Sequence, residues 1–365
     1  MGNDSKLQSD FSQLARLALN ASREDVLLFV RRVARRSQRE CPELATELEK
    51  LTKTSTRDAI VRESLAHPPV DADSRLQLIR TEFPADVEEP IWPESVRSTF
   101  QQIVAERGRG DDLAEAGLSP TRSALFVGPP GVGKTLSARW LAASLGLPLL
   151  TLDLSAVMSS FLGRTGGNLR NVTDYARGTP SVLLLDEFDA IAKRRDDATE
   201  IGELKRLVTV LLQEIETWPS EGFLIAASNH PELLDPAVWR RFDTVVEFNL
   251  PEQPQVQSSL RDLLQGQDIG DPFIEILSCA MLGLSYSDVE RSITQAKRSA
   301  LMNREPITKS LEGIVRQRAE QLTKKQQIQL AVRLGQAGAS QYDAERLTGV
   351  SRPTQRKYRT EGEVA

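Results

Sequence analysis

The chain has 365 residues, of which 40% are hydrophobic and 27% are charged, and its formal net charge is −5. This length allows two or three domains with buried cores, and the composition is that of a soluble globular protein. The sequence lacks the run of roughly 20 apolar residues that a membrane-spanning helix needs, and its polar first residues do not fit a signal peptide. We therefore expect a cytoplasmic protein that does not enter a membrane.

Cysteine and histidine are too rare to form a metal site or a disulfide framework. Cys41 and Cys279 lie far apart in the chain, so we expect two reduced thiols. His67 and His230 are equally isolated. Any catalysis is therefore expected to depend on carboxylates, lysine, arginine and Mg²⁺.

Residues 1–84 are expected to form a helical domain followed by a linker. Apolar residues recur at helical spacing within residues 25–36, which also carry four arginines. These arginines fit a solvated helix face better than a patch for nucleic acid or an acidic partner. Residues 67–73 and 84–93 are rich in proline and aspartate or glutamate, which favours turns and a linker.

Residues 85–251 alternate between short apolar segments and helical patterns. Short apolar strands separated by helices predict a parallel sheet that is covered on both faces, and hence a three-layer α/β domain. The five candidate strands are Ala124–Val127, Pro148–Asp153, Val182–Leu185, Phe223–Ser228 and Thr244–Phe248.

A phosphate-binding loop follows the first of these strands. Residues Gly128–Thr135 match the pattern G-x-x-x-x-G-K-[ST] at every position, and a helical pattern follows. Glycines let backbone N–H groups turn towards a phosphate, Lys134 supplies a positive charge, and Thr135 supplies a hydroxyl for Mg²⁺. The expected nucleotide-binding residues are Pro130, Gly131, Val132, Gly133, Lys134, Thr135 and Leu136.

Two acids end the strand Val182–Leu185. Carboxylates at the carboxyl end of a parallel strand lie on the ligand side of such a sheet. Asp186 is therefore expected to hold Mg²⁺ together with Thr135, and Glu187 to polarise the attacking water. The alternative is an acidic turn with no role in catalysis.

Two later segments complete the pattern. Asn229 ends the strand Phe223–Ser228 with an amide that can orient water, and Arg240 and Arg241 precede Phe242 and an aspartate. The set of motifs, over roughly residues 90–305, resembles the AAA family of AAA+ ATPases.

The resemblance implies an ATP hydrolase that uses Mg²⁺ and assembles into a ring, with six subunits in most of the family. It also implies that Asn229 is the first sensor. Arg240 and Arg241 would act on the γ-phosphate bound by the neighbouring subunit. The alternative is a pair of surface arginines at a helix end.

Phe161, Leu162 and Gly163 match the aromatic–hydrophobic–glycine triplet that lines the central pore of protein-remodelling AAA proteins. The resemblance implies that they grip an extended polypeptide client. An aromatic side chain can contact many side chains without demanding a sequence. The alternative is that Phe161 is an ordinary core residue.

Residues 252–322 have helical patterns only and are expected to form the lid of the nucleotide site. The segment Gly283–Val289 resembles the family pattern Gly-x-Ser-Gly-Ala-Asp, except that Tyr286 and Ser287 replace the two small residues. This departure leaves the contact of the lid with adenine open. Arg291 is either a second-sensor arginine or a solvated residue of the lid helix.

Residues 323–365 predict a separate helical unit that resembles a resolvase-type helix-turn-helix. From residue 316 onwards the chain has ten Lys and Arg against five Asp and Glu, whereas the remainder has 36 against 46. Residues 340–359 could therefore bind DNA, although a three-helix module that binds protein remains the alternative. Ser351 would cap the recognition helix, and the side chains expected to reach bases or phosphates are Arg352, Thr354, Gln355, Arg356 and Lys357.

The fuller pattern is similar to small bacterial AAA proteins that are encoded beside subtilisin-like serine peptidases. This resemblance implies a homo-oligomeric ATPase that remodels a protein client or controls a partner protease. Two alternatives remain open: a DNA-bound ATPase regulator anchored by its C-terminal helices, and a switch that signals by nucleotide-dependent assembly.

Overall fold

A computed structural model of the chain describes residues 29–30, 33–34, 69–70, 77–154, 165–192 and 211–360. The chain divides into two compact units, residues 1–68 and 69–365. Within the first unit the four described residues are helical, as predicted for residues 25–36. The rest of that predicted helix, including its arginines, lies outside the described residues.

A six-stranded sheet forms the centre of the second unit. Its order is β1-β3-β4-β5-β2-β6, and all neighbours pair in parallel except β1 with β3. The α/β class and the five parallel strands are confirmed, while the antiparallel edge strand β1 is an addition to the prediction. The strands are β1 Arg80–Glu82, β2 Ser123–Val127, β3 Leu149–Asp153, β4 Val182–Asp186, β5 Phe223–Ser228 and β6 Thr244–Glu247.

Helices whose two ends are described are numbered here in chain order. Those associated with the sheet are α1 Glu94–Gly108, α2 Gly110–Glu115, α3 Lys134–Leu145, α4 Thr165–Arg177, α5 Asp189–Ala192 and α6 Pro236–Trp239. Those that follow the sheet are α7 Gln253–Leu263, α8 Asp271–Ala280, α9 Tyr286–Asn303, α10 Ile307–Gln321, α11 Lys324–Gln336, α12 Gln341–Thr348 and α13 Arg352–Thr360. None of these helices combines the length and apolar character that crossing a bilayer requires.

The central strands are buried on both faces. On one face, α1 and α3 pack against alternate strand residues such as Phe126, Leu184 and Ile225. The intervening residues, among them Leu125 and Leu183, point to the opposite face and are also fully buried. Two-sided burial explains why each strand of the sequence is a nearly continuous apolar run.

An aromatic cluster fixes the segment before α1 against the sheet. The ring centroids of Trp92 and Phe100 lie 4.8 Å apart, and those of Phe100 and Phe126 lie 5.5 Å apart. The indole N–H of Trp92 donates to Ser137 Oγ over 2.8 Å, so its polar atom is satisfied although the ring is buried. These contacts hold the segment that contains Trp92 beside α3, the helix that follows the phosphate-binding loop.

The helices after the sheet share one apolar core. It extends without interruption from Val256 on α7 to Leu347 on α12, and Leu330 and Leu334 of α11 belong to it. Helices α11–α13 therefore pack on helices α7–α10. The boundary proposed at residue 322 stays a prediction.

Candidate nucleotide-binding and hydrolysis site

The loop between β2 and α3 has a backbone that only glycine adopts easily. Gly128, Gly131 and Gly133 have φ angles of +146°, +77° and +97°. Gly128 also faces a close neighbour, since a Cβ atom there would lie 2.0 Å from the carbonyl oxygen of Phe248. The loop leads directly into the N-terminus of α3. The first N–H groups of a helix have no partner within the helix and therefore favour binding of an anion. This cradle fits a phosphate.

Lys134 lies at the centre of the site and is buried. Its ammonium group donates to the carbonyl oxygens of Gly128 over 2.6 Å and Pro129 over 2.9 Å, and to Asn229 Oδ1 over 2.8 Å. Burial lowers the pKa of Lys134 to about 8, and the nearby charges of Asp186 and Asp189 oppose that shift. The structure thus brings together the expected lysine and the expected sensor amide, which are 95 residues apart in sequence.

The two acids lie where the sequence predicts, at the carboxyl end of β4. Asp186 is half-buried and accepts a hydrogen bond from the backbone N–H of Glu187 over 3.0 Å. Glu187 is exposed and has a φ of +53°, which is rare for a residue other than glycine. The next residue anchors this turn, because the N–H of Phe188 donates to the carbonyl of Ala227 over 2.8 Å. The strained backbone holds the carboxylate of Glu187 on the solvent side of the sheet edge.

Asp189 was not singled out by the sequence analysis, yet it organises this edge of the sheet. Its Oδ1 accepts hydrogen bonds from Ser228 Oγ over 2.9 Å and from the backbone N–H of Asn229 over 3.2 Å. These bonds fix the end of β5, and Asn229 in turn contacts Lys134. The available signal was an aspartate three residues after Asp186, although such acids are common at strand ends.

The expected lid, residues 252–322, approaches the loop closely at the position where the sequence departs from the family pattern. The backbone N–H of Ser287 donates to the carbonyl of Gly131 over 3.2 Å, and a Cβ atom on Gly131 would lie 2.6 Å from Ser285 Oγ. The Tyr286 hydroxyl donates to the carbonyl of Ile91 over 2.8 Å, and burial raises its pKa to about 12. Tyr286 therefore ties the start of α9 to the segment before α1.

Arg291 lies one turn further along α9. Its side chain is 75% exposed and pairs with Asp288 of the same helix over 3.0 Å. Leu136, on the first turn of α3, is 45% exposed. An exposed leucine beside the loop can contact an apolar part of a ligand such as a nucleotide base.

The adjacent arginines differ in their surroundings. The guanidinium of Arg241 pairs with Glu216. Arg240 ends α6 and is exposed, and within the described ranges its side chain makes no hydrogen bond or ion pair. Among the described residues, Arg240 thus has no partner, whereas Arg241 is held by Glu216.

The expected pore triplet Phe161, Leu162 and Gly163 lies outside the described residues, in the interval 155–164. Its placement stays a prediction.

Residues 124–250 match the family model described as "ATPase family associated with various cellular activities (AAA)". The chain is 40% identical over 234 residues to the uncharacterized AAA family ATPase y4kL of Sinorhizobium fredii. The aligned region covers 61% of this chain and 70% of that protein. The chain belongs to the AAA family of ATPases. It is therefore an ATP hydrolase that uses Mg²⁺, and the glycine cradle with its buried lysine fits the phosphates of ATP.

More distant AAA proteins also match. FtsH 3 of Sphaerobacter thermophilus, an ATP-dependent zinc metalloprotease, is 33% identical over 49% of this chain and 38% of its own length. The proteasome-activating nucleotidase of Methanothermobacter thermautotrophicus is 29% identical over 57% of this chain and 53% of its own length. The chain thus spans little more than a third of FtsH 3. The crystal structure of the FIGL-1 AAA domain with ADP superposes with a TM-score of 0.51 at 25% identity, over 62% of this chain and 77% of that one.

We predict that ATP affinity is nearly constant below pH 8 and falls above it, by up to about tenfold per pH unit. The pKa of Lys134 in the empty site is about 8, and phosphate oxygens raise it on binding because they favour the charged form. Binding therefore takes up a proton once the pH exceeds the lower pKa. Titration calorimetry with Mg-ATP between about pH 7 and 10 measures this dependence.

Cys279→Ser is the matched control, because it removes a buried thiol that lies outside the nucleotide site and whose pKa burial raises. The variant should retain the pH dependence of the parent protein. An affinity that does not change up to pH 10 would contradict a lowered pKa of Lys134 in the empty site.

Proposed function

We propose that this AAA protein is a ring-forming, Mg²⁺-dependent ATPase that couples hydrolysis to the remodelling of a protein client. The observation that carries the proposal is the three-fold hydrogen bonding of Lys134, which joins the phosphate-binding loop to the end of β5. That arrangement places a positive charge, two carboxylates and an amide at one sheet edge. Mg-ATP hydrolysis needs this set of groups.

Each residue is proposed to have a separate role. Lys134 and the backbone of Pro130 through Leu136 hold the phosphates, and Thr135 with Asp186 holds Mg²⁺, which neutralises phosphate charge when bound. Glu187 accepts the proton of the attacking water, and its exposed position allows water to reach it. Asn229 orients that water or the γ-phosphate through its amide. Asp189 positions Asn229.

Ring assembly is proposed because Arg240 is exposed and has no partner among the described residues of its own chain. An arginine that reaches the γ-phosphate of a neighbouring subunit neutralises transition-state charge. Arg241, paired with Glu216, would orient this segment. A ring of six subunits is the arrangement that the family resemblance implies.

The nature of the client rests on the sequence and on the relatives. FtsH 3 is an ATP-dependent zinc metalloprotease, and a second relative, of M. thermautotrophicus, is a proteasome-activating nucleotidase. By analogy, we propose that this ATPase acts on polypeptides, that Phe161, Leu162 and Gly163 grip them, and that a subtilisin-like protease is its partner. The alternatives are the DNA-anchored regulator and the assembly switch.

We predict that Arg240→Ala lowers the turnover number by about 10³, because the charge of the transition state is left unbalanced. Arg241→Ala and Glu216→Gln break the same ion pair and should cost less. Mixing Arg240→Ala with Lys134→Ala chains should restore part of the activity, since the Lys134→Ala subunit supplies an intact Arg240 to its neighbour. Steady-state hydrolysis across a range of protein concentrations and mixing ratios measures this. Activity independent of concentration, with no rescue on mixing, would show that subunits act alone.

We predict that Phe161→Ala retains basal ATPase activity but abolishes the threading of a generic unstructured protein substrate. The reason is that threading needs a bulky apolar contact with the client, whereas hydrolysis uses the phosphate site. Leu118→Ala, at a side chain that is 60% exposed, is the control and should retain both activities. Parallel assays with unfolded protein and with duplex DNA distinguish the alternatives. Stimulation of hydrolysis by DNA alone would favour the regulator, and stimulation by neither would favour the assembly switch.

A further inference from the structure

The last three helices form a compact unit around a tight turn. Helix α13 packs against α11 and α12. Only three residues, Gly349 to Ser351, separate α12 from α13, and Gly349 has a φ of +72°. A helix pair joined by a three-residue turn with a glycine, and supported by a third helix, exposes the outer face of the second helix.

A buried glutamine fixes which face of α13 is exposed. Gln355 is only 6% exposed, and its Nε2 donates to the carbonyl of Val350 over 2.7 Å and to that of Gln341 over 3.3 Å. The prediction that Gln355 reaches DNA is therefore wrong, because its side chain lies inside the three-helix unit. The backbone carbonyl of Ser351, which precedes the helix, accepts a hydrogen bond from the backbone N–H of Gln355 over 3.0 Å. The hydroxyl of Ser351 lies 2.9 Å from that of Thr354.

The outer face of α13 is strongly basic. Arg352, Arg356, Lys357 and Arg359 are exposed, and the helix has no acidic residue. Over residues 324–360 the chain has eight Lys and Arg against two Asp and Glu. Among the described residues, Glu345 of α12 pairs with Arg352 over 2.7 Å.

The same face carries few of the apolar residues that a protein partner would need, and none of them is a large aliphatic side chain. Protein interfaces depend on buried aromatic or aliphatic side chains at their centre. Tyr358 is half-buried, and the exposed Tyr342 of α12 lies under the guanidinium of Arg352, 5.6 Å from the ring centroid. A polar and cationic helix of nine residues, about 13 Å long, fits the major groove and its flanking phosphates.

We propose that α13 binds the major groove of duplex DNA, with Arg356, Lys357 and Arg359 as the contacting side chains. Lysine and arginine on such a helix contact phosphates and the acceptor edges of guanine. This binding uses residues outside the nucleotide site, so it does not depend on the proposed remodelling activity. A ring would carry several copies of α13 and would strengthen the binding of long duplexes.

The test compares two full-length variants that each lose two positive charges. Arg356→Gln with Lys357→Gln changes the proposed surface, and Arg298→Gln with Lys309→Gln changes exposed residues of α9 and α10. Fluorescence anisotropy with a labelled mixed-sequence duplex of about 30 base pairs, at several salt concentrations from about 50 mM upwards and without ATP, gives the affinity and its salt dependence.

The proposal expects salt-sensitive duplex binding by the parent protein and by the control. The α13 variant should bind about tenfold or more weakly, and its log–log salt slope should be smaller by about 1.8, for two lost phosphate contacts. Both variants should retain parental ATPase activity, which reports that the chain is folded. Equal affinity of the two variants, or no duplex binding at about 50 mM salt, would overturn the proposal. In the latter case, salt-sensitive binding to an acidic protein would assign the surface to a protein partner.

Discussion

The arrangement of the nucleotide site depends on the burial of one ammonium group. A charged lysine withdrawn from water is costly unless its N–H donors are satisfied. Lys134 meets this requirement with two loop carbonyls and Asn229 Oδ1, and the acids Asp186 and Asp189 lie close enough to favour its charge. The three oxygen acceptors come from two strand ends that only this sheet order makes neighbours. The lysine therefore joins the loop, the acidic strand end and the sensor amide in one site.

A second constraint concerns how closely the expected lid can approach the phosphate-binding loop. Gly131 leaves no room for a side chain, because Ser285 and Ser287 of the lid lie against it. Tyr286 stands where the family has a small residue, and its hydroxyl is bonded to the segment before α1. The departure from the family pattern thus adds a contact between the lid and the sheet domain.

The buried strands and the residues of the phosphate site could be predicted from the sequence. All five parallel strands were located to within a residue or two at each end, because strands covered on both faces are apolar throughout. The phosphate-binding loop was found by its motif. Asp186, Glu187 and Asn229 were found because they are polar residues directly after the predicted strands Val182–Leu185 and Phe223–Ser228.

Features that depend on tertiary contact were not predictable from the pattern. β1 has three polar residues, Arg80 to Glu82, and becomes a strand only by pairing with β3. Gln355 has the residue type of a DNA contact, but packing turns it inward. Likewise, the difference between Arg240 and Arg241 arises from Glu216, which precedes them by more than 20 residues.

The most direct test of this account is a comparison of ATP binding and ATP turnover in Glu187→Gln. The substitution removes the carboxylate that would accept a proton and leaves the loop, Lys134 and Asp186 in place. We expect Mg-ATP affinity close to that of the parent protein, with turnover reduced by at least about 10². Substantial turnover by the variant would contradict the role given to Glu187. Loss of ATP binding would contradict the separation between the phosphate site and the carboxylate that activates water.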